Sequence, residues 1–288
     1  LKQDDLIVLE LSSFQLQDLA FDRVSPPIAV ITNFMRDHLN WHRSIREYAA
    51  AKSVIFKFQK QTDYLFANPD DPKVRAMAEK APSHVILPRL APRYRAVVDE
   101  RLGTHYRSSV GLAIAVGRHF GVVPARMLAI LKRFRGLEGR QEQLPLVRGI
   151  HVVSDTTATI PDAAIAAIMR FRALAKPPHR LILIAGGSDK KLLFAPLAAA
   201  IAKHADHLIL LPGAGTEKLK KELSRDKRIG TGVWHEAQSM SDAVAAAFAA
   251  ARKGDWILLS PGATSFGLFA NEFDRGDQFR KCIAAHQK

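Results

Sequence analysis

The second half of the chain repeats one pattern, in which short apolar runs alternate with alanine-rich stretches of helical length. The apolar runs cover residues 151–153, 181–184, 207–211 and 256–259, and the helical stretches cover 162–175, 194–204, 216–224 and 241–252. Runs this short and this apolar predict strands that are buried on both faces of a sheet. Because the strands alternate with helices, the pattern predicts βαβ units and a parallel, doubly wound α/β sheet.

The first half of the chain is less regular. Its apolar runs at 6–9, 28–31, 64–67 and 84–87 predict strands, and 45–60 predicts a helix with one apolar face. A helix pair is predicted at 108–120 and 125–134, because Gly121 ends the first helix and Pro124 begins the second. The stretch 137–149 has little periodicity, so we place a boundary there and expect two domains, at 1–147 and 148–288.

Composition limits the class of protein. The 288 residues, 48% of them hydrophobic, suffice for one large core or two ordinary ones. There is no run of the roughly 18 to 20 apolar residues that a membrane helix needs, and the acidic start contains no signal-peptide core. The single cysteine, Cys282, fits a reducing compartment. We therefore expect a cytoplasmic protein without membrane insertion; because the sequence starts at Leu1 and soon becomes apolar, we also expect that it begins inside a domain.

The net charge of +14 allows two interpretations. A nucleic-acid partner would favour clustered Lys and Arg, which release counterions from phosphates. The basic residues are instead scattered and interrupted by acids, with no aromatic RNA-binding motif or zinc-finger spacing. A generally basic surface is the simpler interpretation, and an anionic nucleotide substrate would also gain from a positive field. We expect no nucleic-acid partner.

Polar clusters follow four of the predicted strands, where ligands bind on a parallel sheet. They are residues 10–15 (ELSSFQ), 32–38 (TNFMRDH), 154–159 (SDTTAT) and 260–265 (SPGATS). Acids, imidazole and hydroxyls are the groups that a Mg²⁺-phosphate site uses, since Mg²⁺ takes hard oxygen ligands. Taken together, the clusters predict such a site.

Each of these residues also has a structural interpretation. Thr159, close to Pro161, is of a type that caps helices, and Asp155 is of a type that forms turns. A lone His38 is more often a structural hydrogen-bonding residue than a ligand. Lys52, within a predicted helix, is by itself typical of a solvated helix face. The residue types alone leave these alternatives open.

Residues 10–16, ELSSFQL, resemble the most specific signature of the UDP-N-acetylmuramoyl-alanine:D-glutamate ligases, a branch of the Mur ligase family. Other blocks follow in the order and spacing of that family and extend the resemblance over nearly the whole chain. They are Asn33, 37–39 (DHL), 41–42 (WH), Tyr48, Lys52, 155–159 (DTTAT), 186–190 (GGSDK), 258–261 (LLSP), 265–266 (SF) and 275–276 (RG).

The resemblance implies the remainder of a central P-loop-type ATPase domain followed by a Rossmann-like C-terminal domain. It implies a ligase that phosphorylates the carboxylate of UDP-N-acetylmuramoyl-L-alanine with ATP and joins it to D-glutamate, in peptidoglycan synthesis. We expect a monomer. The resemblance implies that Glu10 and His38 bind Mg²⁺, with Lys52 carbamylated to N-carboxylysine as a further ligand. It implies that Ser12 and Gln15 contact the UDP substrate and that Asn33, Arg140 and Asp155 bind the nucleotide. The residues implied to bind D-glutamate are Thr159, Lys190, Ser265 and Phe266.

The chain departs from the family pattern in the residues that the resemblance assigns to ATP binding. A phosphate loop of the form G-x-x-x-x-G-K-[ST] is absent from the sequence, as is the N-terminal nucleotide-sugar domain, and we expect truncation to account for both. Tyr106 and Ser109 stand where the family has asparagines that hold adenine, Gly139 replaces a histidine and Thr157 a lysine. Three hypotheses remain: this ligase, a sister ligase of the folylpolyglutamate type, and a catalytically silent ligase-like binding protein.

Overall fold

The chain forms two compact units, residues 1–134 and 135–288, in a computed structural model that describes residues 2, 5–35, 41–225 and 234–287. The division lies earlier than the expected boundary at 147/148. The reason is that Glu142–Val147, in the stretch expected to be irregular, forms a strand that pairs with Ile150–Ser154 of the second unit. The tight turn between these two strands therefore lies inside the second unit.

The second unit contains a six-stranded sheet of order β4-β5-β9-β6-β7-β8. The strands are β4 (Glu142–Val147), β5 (Ile150–Ser154), β6 (Leu181–Gly186), β7 (His207–Leu211), β8 (His235–Glu236) and β9 (Trp256–Leu259). Only β4 pairs antiparallel, with β5. The accompanying helices are α7 (Pro161–Leu174), α8 (Ala195–His204), α9 (Ala214–Arg225), α10 (Met240–Ala250) and α11 (Glu272–Ala285). The predicted parallel α/β fold is confirmed for this unit.

Burial explains why the apolar runs of this unit became central strands. Leu183 packs in the core on one face of the sheet and Ile184 in the core on the other, and both are 0% exposed. Successive residues of a strand point to opposite faces, so a strand with helices on both sides must be apolar throughout. The helices cover both faces with small residues such as Ala164 and Ala247, each also 0% exposed.

The first unit contains a three-stranded parallel sheet of order β1-β2-β3. Its strands are β1 (Ile28–Ile31), β2 (Tyr64–Ala67) and β3 (His84–Ile86). Its helices are α1 (Ser13–Asp22), α2 (Ile45–Lys57), α3 (Pro72–Ala78), α4 (Pro92–Arg101), α5 (Arg107–His119) and α6 (Pro124–Arg133). Leu65 and Val74, both fully buried, lie in the core between the sheet and the helices.

One predicted strand is wrong. Residues 6–9 have no regular secondary structure, and Leu6, Ile7, Val8 and Leu9 are between 62% and 94% exposed. A parallel strand is stabilised by hydrogen bonds to neighbouring strands and by burial of its side chains. Among the described residues no strand pairs with this run, so its apolar sequence has neither source of stabilisation.

The other predicted strands and helices are confirmed with shifts of a few residues at their ends. The sequence analysis did not predict α1, α3, α4, α11, β4 or β8. For α1 a signal was present, because Ser12 and Gln15 have the spacing of a capping box. None of the helices in the described part of the chain is long and apolar enough to cross a membrane.

Candidate functional site

Three neighbouring strands of the second unit bring most of the predicted C-terminal site residues to one edge of the sheet. Strand β9 lies between β5 and β6, and all three are parallel, so their carboxyl ends meet at the same edge. The loop after β5 carries Asp155 and Thr159, the loop after β6 carries Lys190, and the loop after β9 carries Ser265 and Phe266. The edge matches the position at which ligands bind on such sheets.

Asp155 is the most strongly perturbed acid of this edge. It is 5% exposed, and its two carboxylate oxygens accept hydrogen bonds from the Ser260 hydroxyl at 2.7 Å and from the Gln141 backbone N–H at 3.0 Å. Burial raises the pKa of Asp155 to about 7, against the opposing effects of these two hydrogen bonds and of Arg140 and Arg170. The carboxyl group therefore links β5, β9 and the turn before β4, and it changes protonation near neutral pH.

The loops after β6 and β9 are tied to each other by a short antiparallel bridge. The Ser188 N–H donates to Thr264 O at 2.9 Å, and the Thr264 N–H donates to Ser188 O at 3.2 Å. The Ser188 hydroxyl also donates to the carbonyl oxygen of Phe266. Gly187 permits this approach, because its φ is +142° and a Cβ there would lie 2.3 Å from Thr264 O. The half-buried Lys190, the buried Ser265 and the exposed Phe266 are thus on connected loops.

Thr159 is not the helix cap that the structural interpretation suggested. The N-cap residue of α7 is Ile160, and no side-chain hydrogen bond caps this helix; Pro161 occupies the first turn instead. Since Pro has no backbone N–H, the first turn contains one fewer donor that needs a partner. The Thr159 hydroxyl is therefore not required for helix capping.

Ser12 and Gln15 form the N-terminal cap of α1. The Ser12 hydroxyl oxygen accepts from the Gln15 N–H at 3.3 Å, and the Gln15 side-chain oxygen accepts from the Ser12 N–H at 2.8 Å. This reciprocal pair stabilises the start of the helix by about 1 kcal/mol. Both residues thus have a structural role, and their predicted contact with the UDP substrate remains a prediction.

His42 is a residue to which the sequence analysis assigned no role. It is 1% exposed, and its Nε2 lies 2.9 Å from the hydroxyl of Ser13, which is equally buried. Its ring contacts Tyr48, with centroids 5.2 Å apart, and Lys52 Nζ lies 5.6 Å from the centroid of the same Tyr48 ring. This chain of contacts connects the start of α1 to the face of α2 that carries Lys52. Its signal was the WH dipeptide of the family block, which by itself states no contact.

The predicted metal site of Glu10, His38 and carbamylated Lys52 is not tested by the described part of the chain. Glu10 lies in an exposed segment without regular structure, and Lys52 is half-buried on α2. His38 lies outside the described residues, so its prediction is not tested. Among the residues that are described, no group of three or more His, Cys, Asp or Glu could hold a metal ion.

Asn33 and Arg140, the other predicted nucleotide contacts, are both exposed. Asn33 follows β1 on a loop held by neighbouring groups: the Asn68 side-chain amide donates to Thr32 O at 2.7 Å, and the Phe34 N–H donates to an Asp71 carboxylate oxygen at 2.8 Å. The structure places Asn33 in the first unit, and Arg140 beside Asp155 in the second.

The structure shows which residues surround Gly139 and Tyr106, two positions at which the chain departs from the family pattern. Gly139 has a φ of +66°, and a Cβ there would lie 2.7 Å from Thr156 Cγ2, so a histidine at this position would require Thr156 to move. Tyr106 lies at the start of α5, where its ring centroid is 4.5 Å from that of His105. Tyr106 and the exposed Ser109 thus stand where the resemblance has asparagines, and the ring of Tyr106 lies against His105, which matches the pattern.

Comparison with protein families gives two matches. Residues 1–109 match the Mur ligase middle domain, and residues 139–262 match the Mur ligase glutamate ligase domain. The chain is 37% identical, over 96% of its length, to the UDP-N-acetylmuramoylalanine–D-glutamate ligase of Roseiflexus sp. (strain RS-1). It is 36% identical, over 97% of its length, to the enzyme of that name from Symbiobacterium thermophilum.

Solved structures share the fold at low sequence identity. The MurF ligase of Thermotoga maritima in complex with ADP has a TM-score of 0.68 at 13% identity, covering 95% of this chain and 64% of that one. FolC of E. coli in complex with DHPP and ADP has a TM-score of 0.63 at 18% identity, covering 92% and 63%. These similarities support the fold.

The chain spans 65% of the length of the Roseiflexus relative and 64% of the Symbiobacterium relative. The two matched domains follow one another in the order that the blocks of the sequence predicted, and the parallel sheets of both units agree with the fold of the solved relatives. The chain therefore belongs to the Mur ligase family, with the middle domain in residues 1–109 and the glutamate ligase domain in residues 139–262.

Proposed function

We propose that this protein is an ATP-dependent amide ligase that joins D-glutamate to UDP-N-acetylmuramoyl-L-alanine in peptidoglycan synthesis. The observation that carries the proposal is the 37% identity over 96% of the chain to a relative named for this reaction. The convergence of three polar loops at one edge of the second sheet supports it, because a ligase has to hold an amino acid beside an activated carboxylate.

The reaction has two steps. A carboxylate oxygen of the acceptor attacks the terminal phosphorus of ATP, so that an acyl phosphate forms and ADP leaves. The amine of D-glutamate then attacks the acyl carbon, the bond to the phosphate oxygen breaks, and the nitrogen loses a proton. Both steps depend on the alignment of the reacting groups and on neutralisation of phosphate charge.

In this proposal the second unit binds the amino acid. Lys190 opposes a carboxylate of D-glutamate, and Thr159, Ser265 and Phe266 complete the pocket. The Ser188–Thr264 bridge supports the assignment, since it holds the loop of Lys190 against the loop of Ser265 and Phe266. An ammonium group is a compact, strongly hydrated point charge, which is suited to a carboxylate in a partly open pocket.

The residues that would bind the nucleotide are supported less directly than those for the amino acid. We propose Asn33, Arg140 and Asp155 for ATP, with the exposed Arg140 as a phosphate partner. Both oxygens of Asp155 accept hydrogen bonds, from Ser260 and from the Gln141 N–H, and these bonds fix the orientation of the carboxyl group beside Arg140.

A Mg²⁺ site from Glu10, His38 and carbamylated Lys52 remains a proposal. His38 lies outside the described residues, so the three groups are not all visible in the structure. Carbamylation would turn the Lys52 ammonium into an anion of the type that binds hard cations. We also propose that the protein acts as a monomer, without a nucleic-acid partner, in the cytoplasm where its nucleotide substrates are made.

The test is a phosphate-release assay with the natural full-length protein. Release that requires both UDP-N-acetylmuramoyl-L-alanine and D-glutamate, and is not supported by L-glutamate, is the expected result. Release with L-glutamate and a folate acceptor would instead identify a sister ligase. Binding of the nucleotide sugar without any phosphate release would identify a silent binding protein, and either outcome overturns the proposal.

Lys52→Ala tests the site in the first unit. We expect D-glutamate-dependent phosphate release to fall by on the order of 100-fold or more, the size of effect seen when a group that stabilises transition-state charge is removed. Short carboxylates such as acetate should restore part of the activity. Lys57→Ala, in the last turn of the same helix, is the matched control and should keep wild-type turnover. Equal turnover of the two variants would refute the role of Lys52.

A further inference from the structure

Arg275 is a fully buried cation. It lies in the first turns of α11, is 0% exposed, and is the largest of the fully buried side chains among the described residues. Burial lowers the pKa of Arg275 to about 10, opposed by the charges of Glu272 and Asp155, so the guanidinium remains protonated at neutral pH. Burying a charged group without a directly bonded counter-ion is unfavourable by several kcal/mol. Stability alone is therefore a poor explanation for an arginine here.

The guanidinium joins two loops by three hydrogen bonds. Its Nε and Nη2 donate to the hydroxyl and the carbonyl oxygen of Thr156, at 3.2 and 2.6 Å, and its Nη1 donates to Ala263 O at 3.1 Å. The Thr156 hydroxyl in turn donates to Glu272 O at 2.7 Å. Thr156 belongs to the loop after β5 and Ala263 to the loop after β9, so one side chain sets the separation of both loops.

These two loops carry proposed substrate contacts a few residues further on. Thr159 follows Thr156 in the first loop, and Ser265 and Phe266 follow Ala263 in the second. Gly276, next to Arg275, lets α11 approach closely, since a Cβ there would lie 2.8 Å from Thr156 Cγ2. The contacts that could hold the amino acid thus have Arg275 as a common support behind them.

We propose that Arg275 is a positioning residue for the amino-acid pocket, which fixes the distance between the Thr159 loop and the Ser265–Phe266 loop and thereby the affinity for the amino-acid substrate. The inference rests on the proposed ligase function. Arginine is suited to this role because its planar fork presents several donors in fixed directions. A lysine keeps the charge, but it cannot reach the hydroxyl and both carbonyl oxygens in that geometry.

Three variants of the natural full-length protein test the proposal. Arg275→Lys keeps the charge, Arg275→Met keeps most of the volume without it, and Lys281→Met, at an exposed position of the same helix, controls for loss of one positive charge. Michaelis constants are measured by phosphate release for D-glutamate, for the UDP-linked acceptor and for ATP, and each variant is melted by heat. Arg275→Ala is assayed with and without added guanidinium, with urea as the neutral control.

We expect both Arg275→Lys and Arg275→Met to raise the KM for D-glutamate by on the order of 10-fold or more, since small misplacements of binding groups have large effects. The KM for the acceptor should change by less than about 2-fold, and Lys281→Met should equal wild type in all three constants. Guanidinium, but not urea, should lower the KM of Arg275→Ala for D-glutamate.

Other results overturn the proposal. Equal changes in all three Michaelis constants, or an unchanged KM for D-glutamate in Arg275→Lys, would contradict it. If neither Arg275→Met nor Arg275→Lys folds, Arg275 serves the stability of the second unit and the proposal is wrong. A wild-type protein that releases no phosphate with D-glutamate contradicts the ligase function itself, which is a separate outcome.

Discussion

The two units differ in how far their predicted sites are built by the described residues. In the second unit, a six-stranded sheet ends in loops that are tied together by Asp155, Arg275 and the Ser188–Thr264 bridge. In the first unit, the sheet has three strands, and the apolar run before Glu10 is exposed and unpaired within the described residues. The same signal, an apolar run followed by polar residues, therefore produced a buried strand with connected polar loops in one unit and an exposed segment without regular structure in the other.

The difference shows that an apolar run becomes a strand only where neighbours supply hydrogen bonds and burial. Leu258 of β9 has a strand on either side and is 0% exposed, whereas Val8 is 94% exposed. Intrinsic preference for a strand is small compared with these tertiary contributions. Three predictions test whether the two units differ in this way in solution.

The largest effect is expected for truncation of the core of the second unit. Leu183→Ala removes a side chain that is 0% exposed, and we expect a loss of about 2–5 kcal/mol of unfolding free energy. Leu9→Ala, at a position 71% exposed, should change it by less than about 0.5 kcal/mol. Urea unfolding followed by tryptophan fluorescence measures both, with the buried Trp256 reporting on the second unit and Trp41 on the first. A comparable loss from Leu9→Ala would show that residues 6–9 are buried in the protein in solution.

A smaller loss of unfolding free energy is expected for Gly187, the glycine at which the loop after β6 approaches the loop after β9. Gly187→Ala introduces a Cβ at 2.3 Å from Thr264 O at a φ of +142°, so we expect a loss of about 2–3 kcal/mol and weaker binding of D-glutamate. Gly136→Ala is the control: its φ is +92°, but a Cβ there meets nothing within 4 Å, so backbone strain acts alone, at about 1 kcal/mol. Thermal melting and calorimetric titration with D-glutamate measure the two effects. Equal losses would mean that the loops can separate without consequence.

The smallest effect is a pH dependence from Asp155. Because burial raises the pKa of Asp155 to about 7, the protonated carboxyl favours the folded state below its ordinary pKa, and this contribution is lost as the pH rises through 7. Asp155→Asn lacks this titration. Between pH 6 and pH 7 the variant should therefore gain stability relative to wild type, by no more than about 1.4 kcal/mol over that pH unit, and the difference should level off above pH 7. Asp162→Asn, at an exposed position of α7, is the control and should show no such trend.

Several features of the site were predictable from sequence and others were not. The polar residues after β5 and β9 were identified because each cluster follows an apolar run, whereas Lys190 after β6 was identified only from the resemblance to the family. The capping box of Ser12 and Gln15 had a local signature, but a cap and a ligand contact use the same residue types, so the residues alone did not favour either. His42 and Arg275 could not be assigned a role, because their partners lie 29 and 119 residues away in the chain.

The parallel α/β class of the second unit, the family and the order of the polar blocks could all be inferred from sequence, because they depend on local periodicity and on short motifs. Three outcomes became visible from the folded chain alone: 142–147 joins the second sheet, residues 6–9 remain outside a strand, and Thr159 is not a cap. The folded chain also shows that Asp155 and Arg275 are buried behind the loops that they support. These outcomes depend on contacts between residues distant in sequence, and the energy of such contacts is not contained in any local pattern.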